Sequence, residues 1–247
     1  MNNSSCAISN YGKALARLLY PAACQLCGED LRWEEETVCD PCRHSFRKLA
    51  PPLCRRCSIE LGPFSAREIC ENCESSSRYI TKTWAVYSYS DPLKKLFHRI
   101  KFTSRRSPLD LFREEIQTFA IKHFPKNLSA IVPVPLDWKR SWIRGFNQAK
   151  ILAQFISEAV DCPVAELLSK RIITPAQSHL KKKERLSNLI GSFQFRGEGN
   201  LNGQSVLIVD DIYTTGSTIK ECGRILKENG AAKIYAWALA RAGLDRS

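Results

Sequence analysis

Val206-Leu-Ile-Val-Asp-Asp-Ile-Tyr-Thr-Thr-Gly-Ser-Thr218 joins three kinds of local structure. Its first residues form an apolar run of the length expected for a strand buried on both faces. Two adjacent carboxylates, Asp210 and Asp211, follow it. A short Thr/Gly/Ser loop then opens a helix expected over 217–229, with Gly230 as its stop. In open α/β sheets ligands gather at the carboxyl ends of strands, which is where these acids fall. There they can accept hydrogen bonds from two ribose hydroxyls or help place a metal-bound sugar diphosphate. Gly216 lets backbone approach a ligand closely. The N–H groups of Thr214 to Thr218, their hydroxyls and the positive end of the helix make a phosphate cradle. No lysine follows the glycine and the G-x-x-x-x-G-K spacing is missing, so this is not a nucleoside-triphosphate P-loop.

Outward from this stretch, strands and helices alternate. Trp84–Tyr89, Ala130–Val134 and Lys233–Leu239 read as strands. Asp91-Pro92 opens a helix with Leu93, Leu96, Phe97 and Ile100 on one face, and 109–123 and 147–160 are further helices. Such alternation predicts an α/β fold, a largely parallel sheet covered on both faces. Residues 174–188 are polar, strongly basic and weakly periodic, and read as a loop. Upstream, 11–20 has apolar residues at helical spacing and stops at Pro21. From there to about Ser77 the chain is cysteine-rich and broken by Gly and Pro, so it cannot build a core of its own. The expected division is a 1–78 N-terminal module followed by a 79–247 α/β domain.

Of the eleven cysteines, nine lie between Cys6 and Cys73. Eight of them form four C-x-x-C pairs, Cys24/Cys27, Cys39/Cys42, Cys54/Cys57 and Cys70/Cys73. Two thiolates so spaced can reach one tetrahedral ion at ~2.3 Å, and two pairs close its shell. Eight ligands suit two structural Zn²⁺ sites, ahead of disulfides or an iron–sulfur centre. Neighbouring and interleaved pairings both satisfy the spacing. Cys6, Cys162 and Cys222 have no such partner.

A hydrophobic fraction of 44% and a charged fraction of 25% exclude wholesale disorder. The formal net charge of +12 favours anionic ligands or polyanionic partners. No apolar run is long enough to span a bilayer, and the N-terminus lacks a basic start with an apolar core. A cytoplasmic protein is the expectation.

Taken together, these motifs carry a resemblance. VLIVDDIYTTGST is similar to the diphosphoribosyl-binding signature of type I phosphoribosyltransferases. DPLKKLFHRIKF, VPVPL, RGFNQA and TPAQSHLKKKERLSNLIGSF occur with the cysteine pairs and the acid pair in the order seen in ComF-like proteins. The resemblance implies a type I phosphoribosyltransferase-like twisted sheet flanked by helices, behind a small N-terminal double zinc ribbon. It implies that Asp210 and Asp211 hold the ribose hydroxyls. Thr214, Thr215, Gly216, Ser217 and Thr218 would hold the 5-phosphate. By the same resemblance Pro133, Val134 and Pro135 would form the turn that meets diphosphate, with Lys139, Arg140 and Arg144 supplying positive charge nearby. Asn147 either faces substrate or caps the following helix. The basic stretch is either a solvated face or a loop that closes over diphosphate, with Arg185 and Asn188 its specific positions.

The implied chemistry is pentosyl transfer, a glycosyltransferase reaction, from 5-phosphoribosyl 1-diphosphate with Mg²⁺ to an unknown nitrogen acceptor. The family's association is with DNA uptake and competence. The alternative is a non-catalytic accessory that binds single-stranded DNA and only senses phosphoribosyl diphosphate. Salt dependence separates the two, because phosphate-backbone contacts weaken steeply with salt.

Overall fold

The apolar runs of the sequence pair side by side because each is buried on both faces and needs neighbours for every backbone group. In the computed structural model, residues 22–76, 79–103, 107–136, 145–171 and 191–243 are described. The expected helix at 11–20 and the basic stretch at 174–188 lie outside them. In chain order the elements are α1 (Asp40–His44), α2 (Glu71–Glu74), β1 (Lys82–Ser88), α3 (Leu93–Thr103), α4 (Ser107–Asp110), α5 (Arg113–His123), β2 (Ala130–Pro133), α6 (Gln148–Val160), β3 (Leu168–Lys170), β4 (Phe193–Phe195), β5 (Ser205–Tyr213), α7 (Ser217–Glu228) and β6 (Lys233–Arg241).

The chain falls into two compact units. One comprises 1–46 with 91–111, the other 47–90 with 112–247. The first holds the leading cysteine pairs and α3. That helix buries Leu93, Leu96, Phe97 and Ile100 completely, the face read from their spacing. In the same unit the half-turn 32–40 is organised by Glu35. Its carboxylate accepts the N–H groups of Arg32 and Asp40, both at 2.7 Å. The Asp40 N–H, then that of Arg32, hold the Glu35 carboxyl below its ordinary value.

The second unit contains a four-stranded sheet in the order β1-β6-β5-β2, all strands parallel. Val206 and Ile208 of β5 face one side. There they join Val132, Ala236 and the Ile219, Cys222, Ile225 and Leu226 face of α7. Cys54, Cys57, Ile59, Cys70 and Cys73 continue that same core. Leu207 and Val209, alternating with them, point to the opposite side. Helix α6 packs along β2 and β5 and against α5, so the sheet is flanked by helices. The outer edge of β1 is closed by the cysteine-rich segment itself. Leu49 N–H bonds to the Val86 carbonyl, Ser88 N–H to that of Arg47, and Thr83 N–H to that of Arg56. An open edge is a template for aggregation, and this one is paired.

Two elements differ from expectation. The helix read over 109–123 is broken into α4 and α5, and Phe112 at the break sits edge-on to Tyr87, ring centroids 5.5 Å apart. The strand read over 205–209 runs four residues further, to Tyr213, because β6 continues beside it as far as Arg241.

Candidate functional site

Register brings the candidate residues to one edge. On β5, Val209 lies opposite Pro133 of β2 on one side and Trp237 of β6 on the other. The Asp210–Asp211 pair and the Pro133-Val134-Pro135 turn therefore emerge together at the carboxyl end of the sheet. Val134 N–H still donates to the Val209 carbonyl at 2.9 Å. Pro133 is tolerated inside β2 because β2 ends the sheet and its missing donor costs no ladder bond. Both acids are half-buried. Asp211 N–H donates to Asp210 Oδ1 at 2.9 Å and Ile212 N–H to Asp211 Oδ1 at 2.8 Å.

Beyond β5 the chain turns through Thr214 and Thr215, both exposed, into α7. Gly216 makes this turn at φ +80°, the left-handed region. A Cβ there would overlap the hydroxyl and ring of Tyr213 beneath it. The Thr215 and Ser217 hydroxyls lie 2.9 Å apart. Ser217 N–H makes a long bond of 3.4 Å to Thr215 Oγ1, and the helix start as a whole remains suited to an anion. Replacing Gly216 by alanine is expected to cost ~1–2 kcal/mol in backbone strain alone, with the clash added. Calorimetric melting and phosphate-ester titration of that variant check it.

Asn147 is engaged inside the protein at both ends of its amide. Its Oδ1 accepts the Ala149 N–H at 3.0 Å, capping α6, and its Nδ2 donates to the Val134 carbonyl at 3.0 Å. It thus pins the Pro133–Pro135 turn to the helix. Lys139, Arg140, Arg144, Arg185 and Asn188 lie outside the described residues.

The eight cysteines form two four-thiol clusters from neighbouring pairs, Cys24/Cys27/Cys39/Cys42 and Cys54/Cys57/Cys70/Cys73, with all sulfurs of each cluster within 4.8 Å of one another. Tetrahedral Zn–S bonds of ~2.3 Å put sulfurs about 3.8 Å apart. The Cys27–Cys39 and Cys57–Cys70 separations are both 3.6 Å. Backbone N–H groups point at the thiols, as from Cys39 to Cys24 at 3.4 Å and Cys70 to Cys54 at 3.3 Å. The second cluster is wholly buried, whereas Cys27 of the first is exposed.

Each cluster holds one thiol ready to ionise. A hydrogen bond from Cys73 leads in pushing Cys57 down to about 5, with Arg241 adding its charge. Burial and then the charge on Cys57 push Cys70 up to about 11. Burial opposes ionisation of Cys24, but N–H groups of Cys27, Cys39 and Leu26 bring it to about 6. A dication resolves this repulsion, so these are closed, structural zinc sites. The sign for pH follows. Metal binding must displace protons from the thiols held high, so zinc retention weakens as pH falls from about 8 to about 6. Chelator competition across that range checks it.

Two residues at this edge have no role assigned from the sequence. Gln148, 1% exposed, has neither amide atom bonded among the described residues. Arg241, 4% exposed, ends β6. Its Nε donates to the Cys57 carbonyl at 3.3 Å and its Nη1 to the carbonyls of Tyr213, at 3.1 Å, and Thr214. Its guanidinium lies 4.4 Å from the Tyr213 ring centroid. Gln148 is the glutamine of RGFNQA, in which Arg144 and Asn147 are the candidates, whereas Arg241 belongs to no local motif and only the fold could find it.

Sheet, acid pair and loop define the class, an α/β domain of the phosphoribosyltransferase type joined to a zinc-binding ribbon. Residues 144–246 match the family described as "Phosphoribosyl transferase domain", and 15–74 match "Double zinc ribbon domain". Competence protein ComFC of Bacillus subtilis is 29% identical over 242 residues, covering 90% of this chain and 96% of that one. Competence protein F of Haemophilus influenzae is 32% identical, covering 89% and 96%, and DNA utilization protein YhgH of Escherichia coli K12 is 31% identical, covering 91% and 99%. The chain belongs to the ComF family. A purine phosphoribosyltransferase from Pyrococcus horikoshii overlays 60% of this chain and 84% of its own at 16% identity, with a TM-score of 0.32. The fold rests on the sheet and the family match, not on that overlay. None of the described helices is long and apolar enough to cross a membrane.

Proposed function

We propose that this protein binds 5-phosphoribosyl 1-diphosphate with Mg²⁺ and transfers the phosphoribosyl group to a nitrogen acceptor. One observation carries the reading. The acid pair, the glycine-turned loop at the start of α7 and the Pro133–Pro135 turn share the carboxyl edge of the sheet. In this reading Asp210 and Asp211 take the ribose hydroxyls. Thr214, Thr215, Gly216, Ser217 and Thr218 take the 5-phosphate, and Pro133, Val134 and Pro135 lie along the diphosphate. Arg144, Asn147 and Arg185 complete the set named from the sequence. Mg²⁺ on the diphosphate supplies charge neutralisation at the leaving group. The protein positions the anomeric carbon and keeps the partial positive charge that develops there beside two carboxylates. The acceptor side is the cleft between the second ribbon and the ends of β1 and β6, lined by Arg47, Glu60, Arg67, Asn72, Ser88 and Arg241. The names of the relatives support a place in competence or DNA utilization, and a cytoplasmic location is part of the proposal.

Calorimetric titration of the zinc-loaded chain with phosphoribosyl diphosphate and Mg²⁺ tests this. Saturable binding supports it and opens a screen of nitrogenous acceptors for diphosphate release. No binding sinks it. A second reading, single-stranded DNA binding, is favoured by aromatics left in solvent on both ribbons, Trp33 at 60% and Phe64 at 99% exposure. Base stacking is worth ~1–3 kcal/mol per ring, so Phe64→Ala is expected to weaken single-strand affinity ~5- to 150-fold. Binding that is unchanged in Phe64→Ala, or insensitive to salt, counts against it.

A further inference from the structure

The second cysteine cluster and the Thr214–Thr218 loop are separate motifs, about 140 residues apart in sequence. In the fold they share one buried side chain. Arg241 reaches the structure through register. It lies opposite Tyr213 at the end of the β5–β6 ladder, which places its guanidinium between β5 and the second ribbon. No carboxylate pairs with it among the described residues; its partners are carbonyls. One belongs to Cys57, a member of the cluster, two to Tyr213 and Thr214, the last residue of β5 and the first of the loop, and a fourth to the adjoining Ala242. The ring of Tyr213 fills the remaining gap, with the guanidinium near its face and the space that a Cβ of Gly216 would need at its other end. Movement of the Cys57 carbonyl is thus transmitted through a planar, multidentate donor to the backbone that shapes the loop. A lysine could carry the charge but not span these acceptors.

We propose that Arg241 is a positioning residue through which the second four-cysteine cluster, and the metal it holds, sets the conformation of the phosphate-binding loop. Toward the loop Arg241 acts through the Tyr213 and Thr214 carbonyls. Its effect is a coupling between two sites, and coupling is reciprocal: a loop held by phosphate must in turn hold the cluster. The identity of the ligand rests on the function proposed above; the coupling itself does not.

The experiment compares the zinc-loaded wild-type chain with Arg241→Lys, and with Cys27→Ser as a first-cluster control. Hydrogen exchange is read over 213–220 and over α6. In Arg241→Lys, exchange over 213–220 is expected to rise ~10-fold, with α6 exchange and second-cluster zinc unchanged. Cys27→Ser leaves the loop as in wild type. Loop exchange in Arg241→Lys equal to wild type overturns the proposal, as does a rise spread equally over α6. Should Arg241→Lys fail to fold, the wild-type chain decides. Saturating phosphoribosyl diphosphate is expected to slow zinc loss from the buried cluster to a chromogenic chelator at least ~5-fold, and an unchanged rate with ligand bound overturns the coupling. Absence of ligand binding by the wild type counts against the proposed function, while the exchange result still judges Arg241.

Discussion

Changing Asp210 and Asp211 together to alanine is expected to lower affinity for phosphoribosyl diphosphate at least ~100-fold while leaving the chain folded. Each half-buried carboxylate offers a charged acceptor at the carboxyl end of β5. A hydrogen bond to a charged group is worth ~1.5–3 kcal/mol, so two lost together amount to ~3–6 kcal/mol. That corresponds to two to four decades in the dissociation constant. The structural cost is small by comparison. Among their partners are the N–H groups of Asp211 and Ile212, each one residue along the chain, bonds that an alanine loses without unpairing the β5 ladder. Calorimetric titration beside a thermal melt separates the two effects. Wild-type affinity in the double variant would remove these residues from the site. A collapsed melting transition would mean that the acids serve the fold.

The second large effect belongs to the second cysteine cluster. Cys57→Ser is expected to abolish cooperative folding of the unit that carries the sheet, and Cys27→Ser is not. The metal's apparent contribution in small zinc modules is ~10–16 kcal/mol, more than the ~5–15 kcal/mol net stability of a typical domain. Cys57 is 3% exposed and belongs to the same core as Val206, Ile208 and the apolar face of α7. Loss of its zinc leaves the remaining buried thiols of that core without the ion that ties them together and loosens the segment that closes the β1 edge. Cys27 is exposed and lies in the other compact unit. Melting followed by near-ultraviolet circular dichroism, with zinc content measured in parallel, reads the difference. A Cys57→Ser chain that melts within a few degrees of wild type would show the second zinc to be dispensable.

The site's chemistry was legible in the sequence where it is local. A strand delivering two acids, a glycine where backbone must approach a ligand, and thiols two residues apart each act within one short stretch. Their spacing alone reports them. The parallel sheet was legible for a related reason: strands buried on both faces read as unbroken apolar runs between helical periods. The pairing of the cysteines was not, since neighbouring and interleaved arrangements use the same eight residues and only folded distances choose between them. Nor was the helix break before α5, which follows from where Phe112 packs rather than from any breaker residue.

What the sequence determined by itself is therefore the set of parts: an α/β sheet with an acid-tipped strand, a phosphate-type loop and two zinc knuckle pairs. Tertiary structure alone decided how the parts act on one another. It placed the second cluster in the core of the sheet and the Pro133–Pro135 turn beside Asp210, and it put Arg241 between Cys57 and the loop. The physical reason is register. Parallel pairing lines up strand ends that lie far apart in the chain, and a buried arginine takes its role from whichever carbonyls that alignment brings within reach.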